Sequence, residues 1–143
     1  MSVFEVSYRL TMSEKDINKL ELHAETKLPH EAVALLFGRE DGKKIHVESI
    51  RLVENVSSVP KTEFSVDPEQ EYELLLGAEK RDERLVGIYH SHSAPPYPSD
   101  KDVDNMRLNK VVWLIASKCS GTWKLNAFLL IDDQPEEIPF EII

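Results

Sequence analysis

The sequence holds a single cysteine, Cys119, so no internal disulfide can form and the chain suits a reducing compartment. Long hydrophobic runs are also missing. Val111–Ala116 and Ala127–Ile131 are only six and five residues long, whereas a membrane-crossing helix needs about 20. The opening stretch, MSVFEVSYRL, lacks the basic start and apolar core of a secretory signal, so the expected location is the cytoplasm. Positive charge is scarce, with 17 Lys and Arg against 26 Asp and Glu and a net charge of −9. That balance argues against nucleic acid, whose affinity comes largely from Lys and Arg meeting phosphates. Asn and Gln together number seven while Glu and Lys are plentiful, a composition associated with heat-adapted proteins. No repeat, low-complexity tract or linker interrupts the chain.

What is present suits one domain spanning residues 1–143, with 41% hydrophobic residues to build a core. Val3–Leu10 alternates as a half-buried strand does. Ser13 reads as a helix N-cap with Asp16 three residues on, and Ile17, Leu20, Ala24 and Leu28 recur at helical spacing, which predicts a helix over Glu14–Lys27. Ala32–Phe37 is apolar on both faces, like a strand buried in a sheet. Asp41-Gly42 signals a hairpin turn into a second strand, Lys44–Val53. Glu54–Glu63 reads as a loop. Asp67 is an expected N-cap with Pro68 at the first helical position and Gln70 completing the box, and this helix runs to about Arg81. Leu85–His92 is a strand, Ser93–Pro98 a proline-stiffened loop and Ser99–Asn109 a helix. Val111–Ser117, Thr122–Ile131 and Ile138–Ile142 close the chain as strands, with a turn at Asp132–Pro135. The expected architecture is α/β, a mixed sheet flanked by helices.

The chemistry concentrates in VGIYHSHSAPPYPSDKD, residues 86–102. Residues two apart on a strand share a face, so His90 and His92 project side by side. Neutral imidazole is the commonest protein metal ligand, and zinc accepts carboxylate oxygen beside it. Asp102 can supply a third ligand once the loop folds back, with Asp100 and Asp104 as alternatives. Ser99-x-x-Asp102 is also a helix-capping pattern, and the two uses compete for the Asp102 carboxylate. Ser99 is less conflicted. A capping hydroxyl accepts from the backbone and keeps its own proton to donate to a developing oxyanion. A general base should lie outside the metal shell, and Glu31, at the start of the apolar strand, fits because a carboxylate there needs a reason to be buried. The alternative is that Glu31 is a strand-end residue reaching solvent. His23 (on the polar side of the first helix), His30, His46 and Cys119 read as structural or solvent-facing.

Glu31, His90-Ser91-His92 and Ser99-Asp100-Lys101-Asp102 together resemble the signature of the JAMM (MPN+) zinc metalloproteases, and in particular a small prokaryotic or archaeal type. Pro29-His30-Glu31-Ala32 with Leu35-Leu36-Phe37-Gly38, Phe64–Pro68 and Gly87-Ile88-Tyr89 extend the similarity from about Thr11 to Leu130. One departure is the loop before Ser99: the family usually has seven residues there, and Ser93–Pro98 is six. The resemblance implies an MPN-type, cytidine-deaminase-like architecture in which His90, His92 and Asp102 hold Zn2+. It also implies Glu31 as the base acting on the attacking water, and Ser99 as donor to the oxyanion. The implied activity is that of a desampylase- or deubiquitinase-like isopeptidase, cleaving the amide bond after the tail of a ubiquitin-like modifier or sulfur-carrier protein. A homodimer is implied as well. Asn55–Lys61 and Ser93–Pro98 are the expected walls of a groove for the extended tail.

Two rivals remain at this level. A non-catalytic MPN-type scaffold or interaction domain shares the fold but lacks the five-residue motif, which is complete here. A zinc deaminase needs His/Cys/Cys or three Cys ligands, a set that one cysteine cannot supply.

Overall fold

The computed structural model describes residues 7–143. Its elements in chain order are β1 (Arg9–Met12), α1 (Glu14–Lys27), β2 (Val33–Asp41), β3 (Lys44–Val53), α2 (Pro68–Lys80), β4 (Arg84–His92), α3 (Asp100–Leu108), β5 (Val112–Ser117), β6 (Lys124–Ile131), β7 (Gln134–Ile138) and β8 (Phe140–Ile142). The expected first strand begins in residues outside the described range, and its described part ends at Met12.

Each helix starts where its capping chemistry allows. Ser13 accepts from the Asp16 amide and Asp67 from the Gln70 amide, with Pro68 at the first helical position, where a missing N–H costs nothing. Ser99 caps α3 as half of a reciprocal capping box with Asp102. The eight strands form one mixed sheet in the order β7-β6-β5-β4-β2-β3-β1-β8. β4 runs parallel to β5 and antiparallel to β2, while β1 runs parallel to both β3 and β8.

The chain end differs from expectation. The stretch read as the Asp132–Pro135 turn plus one strand is instead a tight turn at Asp132 and Asp133, both at positive φ, followed by two strands. β7 pairs with β6 at one edge of the sheet and β8 with β1 at the other, although only Pro139 separates them. The sheet therefore curls until its two edges meet at Pro139, whose carbonyl accepts from the Leu10 amide at 2.9 Å.

β2 lies near the middle of the sheet and is apolar on both faces because both faces are covered. Ala34 and Leu36 pack with Leu20 and Ala24 of α1 on one side, together with Leu10, Ile45 and Tyr89. Val33, Leu35 and Phe37 pack on the other with Ala78 of α2, Met106 of α3, Ile88 and Trp113. His23 corrects the sequence reading: it turns inward, is buried, and donates from Nε2 to the Val33 carbonyl at 2.9 Å. Burial outweighs that bond and lowers its pKa.

β2 shifts register against β3 between Phe37 and Gly38, and against β4 between Leu36 and Phe37. At Gly38 a Cβ would lie 1.9 Å from the His46 carbonyl oxygen, a backbone atom that cannot swing aside. Gly38→Ala is expected to destabilise the protein by about 1–3 kcal/mol or more, the range for overpacking, read as a lower urea midpoint. An unchanged midpoint would mean that β3 yields at this bulge without cost.

Candidate metal centre

The candidate site is assembled at the end of β4. Along this strand Ile88, His90 and His92 share the face covered by α2 and α3, while Tyr89 points to the α1 side. His90 is fully buried, and His92 lies at the rim. The loop Ser93–Pro98 then turns back so that α3 begins beside the histidines. This six-residue loop is pinned at several points. His92 Nδ1 donates to the Ala94 carbonyl at 2.9 Å, Asn126 on β6 donates to the Pro96 carbonyl at 3.0 Å, and Tyr97 packs edge-on against Phe128. His92 Nε2 lies 3.2 Å from the Tyr97 carbonyl, a longer contact than that of Nδ1. The tautomer with the proton on Nδ1 leaves Nε2 the lone pair that a metal ligand needs.

The loop delivers Asp102. One donor atom each from His90, His92 and Asp102 lies within 4.8 Å of the others. Asp102 Oδ1 is 3.2 Å from His90 Nε2, and Asp102 Oδ2 is 3.8 Å from His92 Nε2. The competition between capping and ligation is resolved by dividing the carboxylate. Oδ2 accepts from the Ser99 amide at 3.0 Å, closing the capping box, while Oδ1 turns toward His90. Ser99 Oγ accepts from the Asp102 amide at 3.1 Å, which leaves its hydroxyl proton free, and Ser99 itself is solvent-exposed. Asp100 and Asp104, the alternative ligands, are exposed outside the cluster, and Asp104 pairs instead with Arg107.

Glu31 is buried, not a solvent-reaching strand end. It stands just before β2, and its Oε1 is 3.4 Å from His90 Nδ1. Its main chain is held from two sides. The Glu31 amide donates to the Pro60 carbonyl at 2.7 Å, and the Glu31 carbonyl accepts from Asn55 Nδ2 at 2.9 Å. The next residue, Ala32, is clasped by Ser91, the residue between the two histidines: Ser91 Oγ accepts from the Ala32 amide and the Ser91 amide donates to the Ala32 carbonyl.

His90 is the electrostatic centre. Burial alone would depress its pKa, but the carboxylates of Asp102 and then Glu31 prevail and push it up to about 9. Asp102 shifts the opposite way. Burial opposes its charge, yet His90 and the two bonds with Ser99 hold it below the usual carboxylate range. Despite the two carboxylates, neither His90 nitrogen makes a well-directed hydrogen bond, and both are buried. Buried polar atoms are rarely left so. Of the two, Nε2 faces Asp102, and an imidazole nitrogen without a directed partner beside a second imidazole and a carboxylate fits a divalent cation with nitrogen and oxygen ligands.

Two aromatic residues that carried no role in the sequence frame this centre. Phe64 lies over His90 with ring centroids 5.0 Å apart, and Trp113 meets His90 edge-on at 5.8 Å. Nothing local to Trp113 signals this, because it is one of six successive buried residues on β5 and only the pairing with β4 brings it under the site. A broad surface groove between α1 and β3, lined by Leu22, His23, Ile50 and Leu52, contains none of these residues.

Comparison with known proteins follows the same outline. A family profile described as prokaryotic homologs of the JAB domain matches residues 13–129. A desampylase of Pyrococcus furiosus is 39% identical over 95 residues, which cover 66% of this chain and 64% of that protein's length. A desampylase of Haloferax volcanii is 30% identical over 111 residues, covering 77% of this chain and 76% of that one. The solution structure of a protein from Desulfitobacterium hafniense superposes with a TM-score of 0.81 at 29% identity, covering 94% of this chain and 92% of that chain. A protein from Salinibacter ruber shares the fold at a TM-score of 0.65 and 23% identity, covering 91% and 90%. A mixed sheet flanked by three helices, a matching profile over most of the chain and a His-His-Asp cluster at the end of β4 lead to one conclusion: the chain belongs to the family of prokaryotic JAB-domain proteins, as a small JAMM/MPN-type member.

Proposed function

We propose that the protein is a zinc-dependent isopeptidase that hydrolyses the amide bond after the C-terminal tail of ubiquitin-like modifier proteins, working in the cytoplasm. The observation that carries this reading is the buried convergence of His90, His92 and Asp102, with Glu31 against His90. Two relatives named desampylases support the substrate class.

In this reading His90, His92 and Asp102 hold the zinc ion. When bound, zinc polarises a carbonyl and lowers the pKa of its water to about 7. Glu31 takes the proton from the attacking water on its carboxylate and returns it to the leaving amine. The free Ser99 Oγ–H donates to the oxyanion as it develops. The capping bonds of Ser99 and Asp102 keep donor and ligand in fixed relation at the start of α3. Phe64 and Trp113 exclude water from behind His90, so the charges there interact at low dielectric.

The direct test is incubation with fusions of ubiquitin-like proteins, with and without a chelator. Cleavage after the tail is expected, lost on chelation and regained with added zinc. Purified protein carrying well under one zinc per chain, with no hydrolysis regained on adding zinc, would favour a non-catalytic scaffold.

Two substitutions separate the roles. Glu31→Gln is expected to keep its zinc and lose hydrolysis by about 10²–10⁴-fold, the usual contribution of a positioned base; full turnover in that variant would assign the base elsewhere. Asp102→Asn should cost more zinc than Ser99→Ala when both are dialysed against a graded chelator. Equal losses would mean that the capping box, not the carboxylate ligand, governs metal retention.

A further inference from the structure

We propose that Asn55 is a positioning residue for Glu31, holding the base in place through the main chain. This rests on the reading of Glu31 as the base. Asn55 lies outside the metal cluster, 24 residues along the chain from Glu31, in the loop after β3. Its side chain is a hub with five contacts. Nδ2 donates to the carbonyls of Glu31 at 2.9 Å, Glu63 at 3.1 Å and, more weakly, Pro60 at 3.4 Å. Oδ1 accepts from the amides of Ser57 and Ser65, each at 3.1 Å. The amide orientation is forced by its surroundings. Three acceptor-only carbonyls face one end and two N–H groups face the other, so the flipped amide would meet like with like at every contact.

The location of Glu31 gives this hub its consequence. The ladder between β2 and β4 begins at Val33, paired with His90, so Glu31 lies two residues beyond the last sheet pairing. Ser91 extends the hold by one residue, to Ala32. Among the described residues the Glu31 main chain is held by the loop alone: its amide donates to Pro60 and its carbonyl accepts from Asn55. Both partners belong to a loop that Asn55 gathers. Val56 donating to Ser65 closes its neck, and the Lys101–Glu63 ion pair ties it to α3. The same hub sets Phe64, which follows Glu63 and lies over His90. Removing the Nδ2 donor strands the buried Glu31 carbonyl and frees the loop carrying Pro60, so the backbone that aims the Glu31 carboxylate loses its restraint.

The test compares Asn55→Ala and Asn55→Asp with the wild type. Asp keeps the two acceptor contacts but turns oxygen toward three carbonyls. Both variants are expected to lose kcat by about 10²-fold, the scale of an ångström-sized misplacement of a reacting group, with zinc per chain and KM unchanged. In a Glu31→Gln background the Asn55 substitutions should add little further loss, since residues acting through one group are not additive. Amide hydrogen exchange supplies a readout independent of activity: Glu31 and Ala32 should exchange faster in the variants while Leu35 stays protected. A raised KM at constant kcat would assign Asn55 to the substrate groove and overturn the proposal. So would full activity of Asn55→Asp, unaltered exchange at Glu31, or failure of both variants to fold. If the wild type hydrolyses no ubiquitin-like fusion, the functional reading fails, and the exchange at Glu31 still decides whether Asn55 holds it.

Discussion

The constraint on which the site depends is the burial of two carboxylates on either side of one buried imidazole. His90 has no exposed surface, and Glu31 and Asp102 keep only 6% and 5% of theirs. Two carboxylates removed from water beside one imidazole are costly unless positive charge compensates them. A proton on His90 balances one of them, which is why its pKa rises to about 9 against the pull of burial. A divalent cation beside a neutral His90 balances both. Side chains that would be an electrostatic liability in an ordinary core thus make a set whose charge a bound dication would balance.

The fold meets this constraint by bringing Glu31, His90 and Asp102 from three separate stretches of chain: the lead into β2, β4 and the start of α3. β4 supplies both histidines, flanked by β2 and β5. The antiparallel partner β2 brings Glu31 to the His90 end, because Val33 pairs with His90. The parallel partner β5 places Ile115 opposite His90 and sets Trp113 beneath the imidazole. α3 arrives by its N-terminus, where capping already requires a serine and a carboxylate three residues apart. One carboxylate oxygen caps and the other faces His90, so local helix chemistry and site chemistry share a single side chain.

Much of this was legible in the residues. Alternation, caps and turn signals placed α1 and β3 at their observed bounds, and the His90/His92 pair, Glu31, Ser99 and Asp102 were readable as a set through their resemblance to a known signature. The misses share a cause. His23 sits among charged neighbours and reads as polar-facing, but the packing of α1 on β2 turns it toward the Val33 carbonyl. Gln134 and Pro135 read as the end of the Asp132–Pro135 turn, yet β6 supplies a pairing edge that makes them the start of β7. Asn55 resembles any polar loop residue, since its five partners are gathered only by the folded loop and by Glu31.

The sequence by itself determined which chemistry is available: two imidazoles of one strand face, a capping serine and carboxylate, and a lone acid at the head of an apolar run. These follow from spacing, because strand and helix periodicities act over a few residues. Only the tertiary structure decided that the acid is buried against His90, that the six-residue loop still brings Asp102 within reach, and that one asparagine holds the main chain of Glu31. Those outcomes depend on contacts between residues separated by more than the reach of strand and helix periodicity, and spacing along a chain carries no record of them.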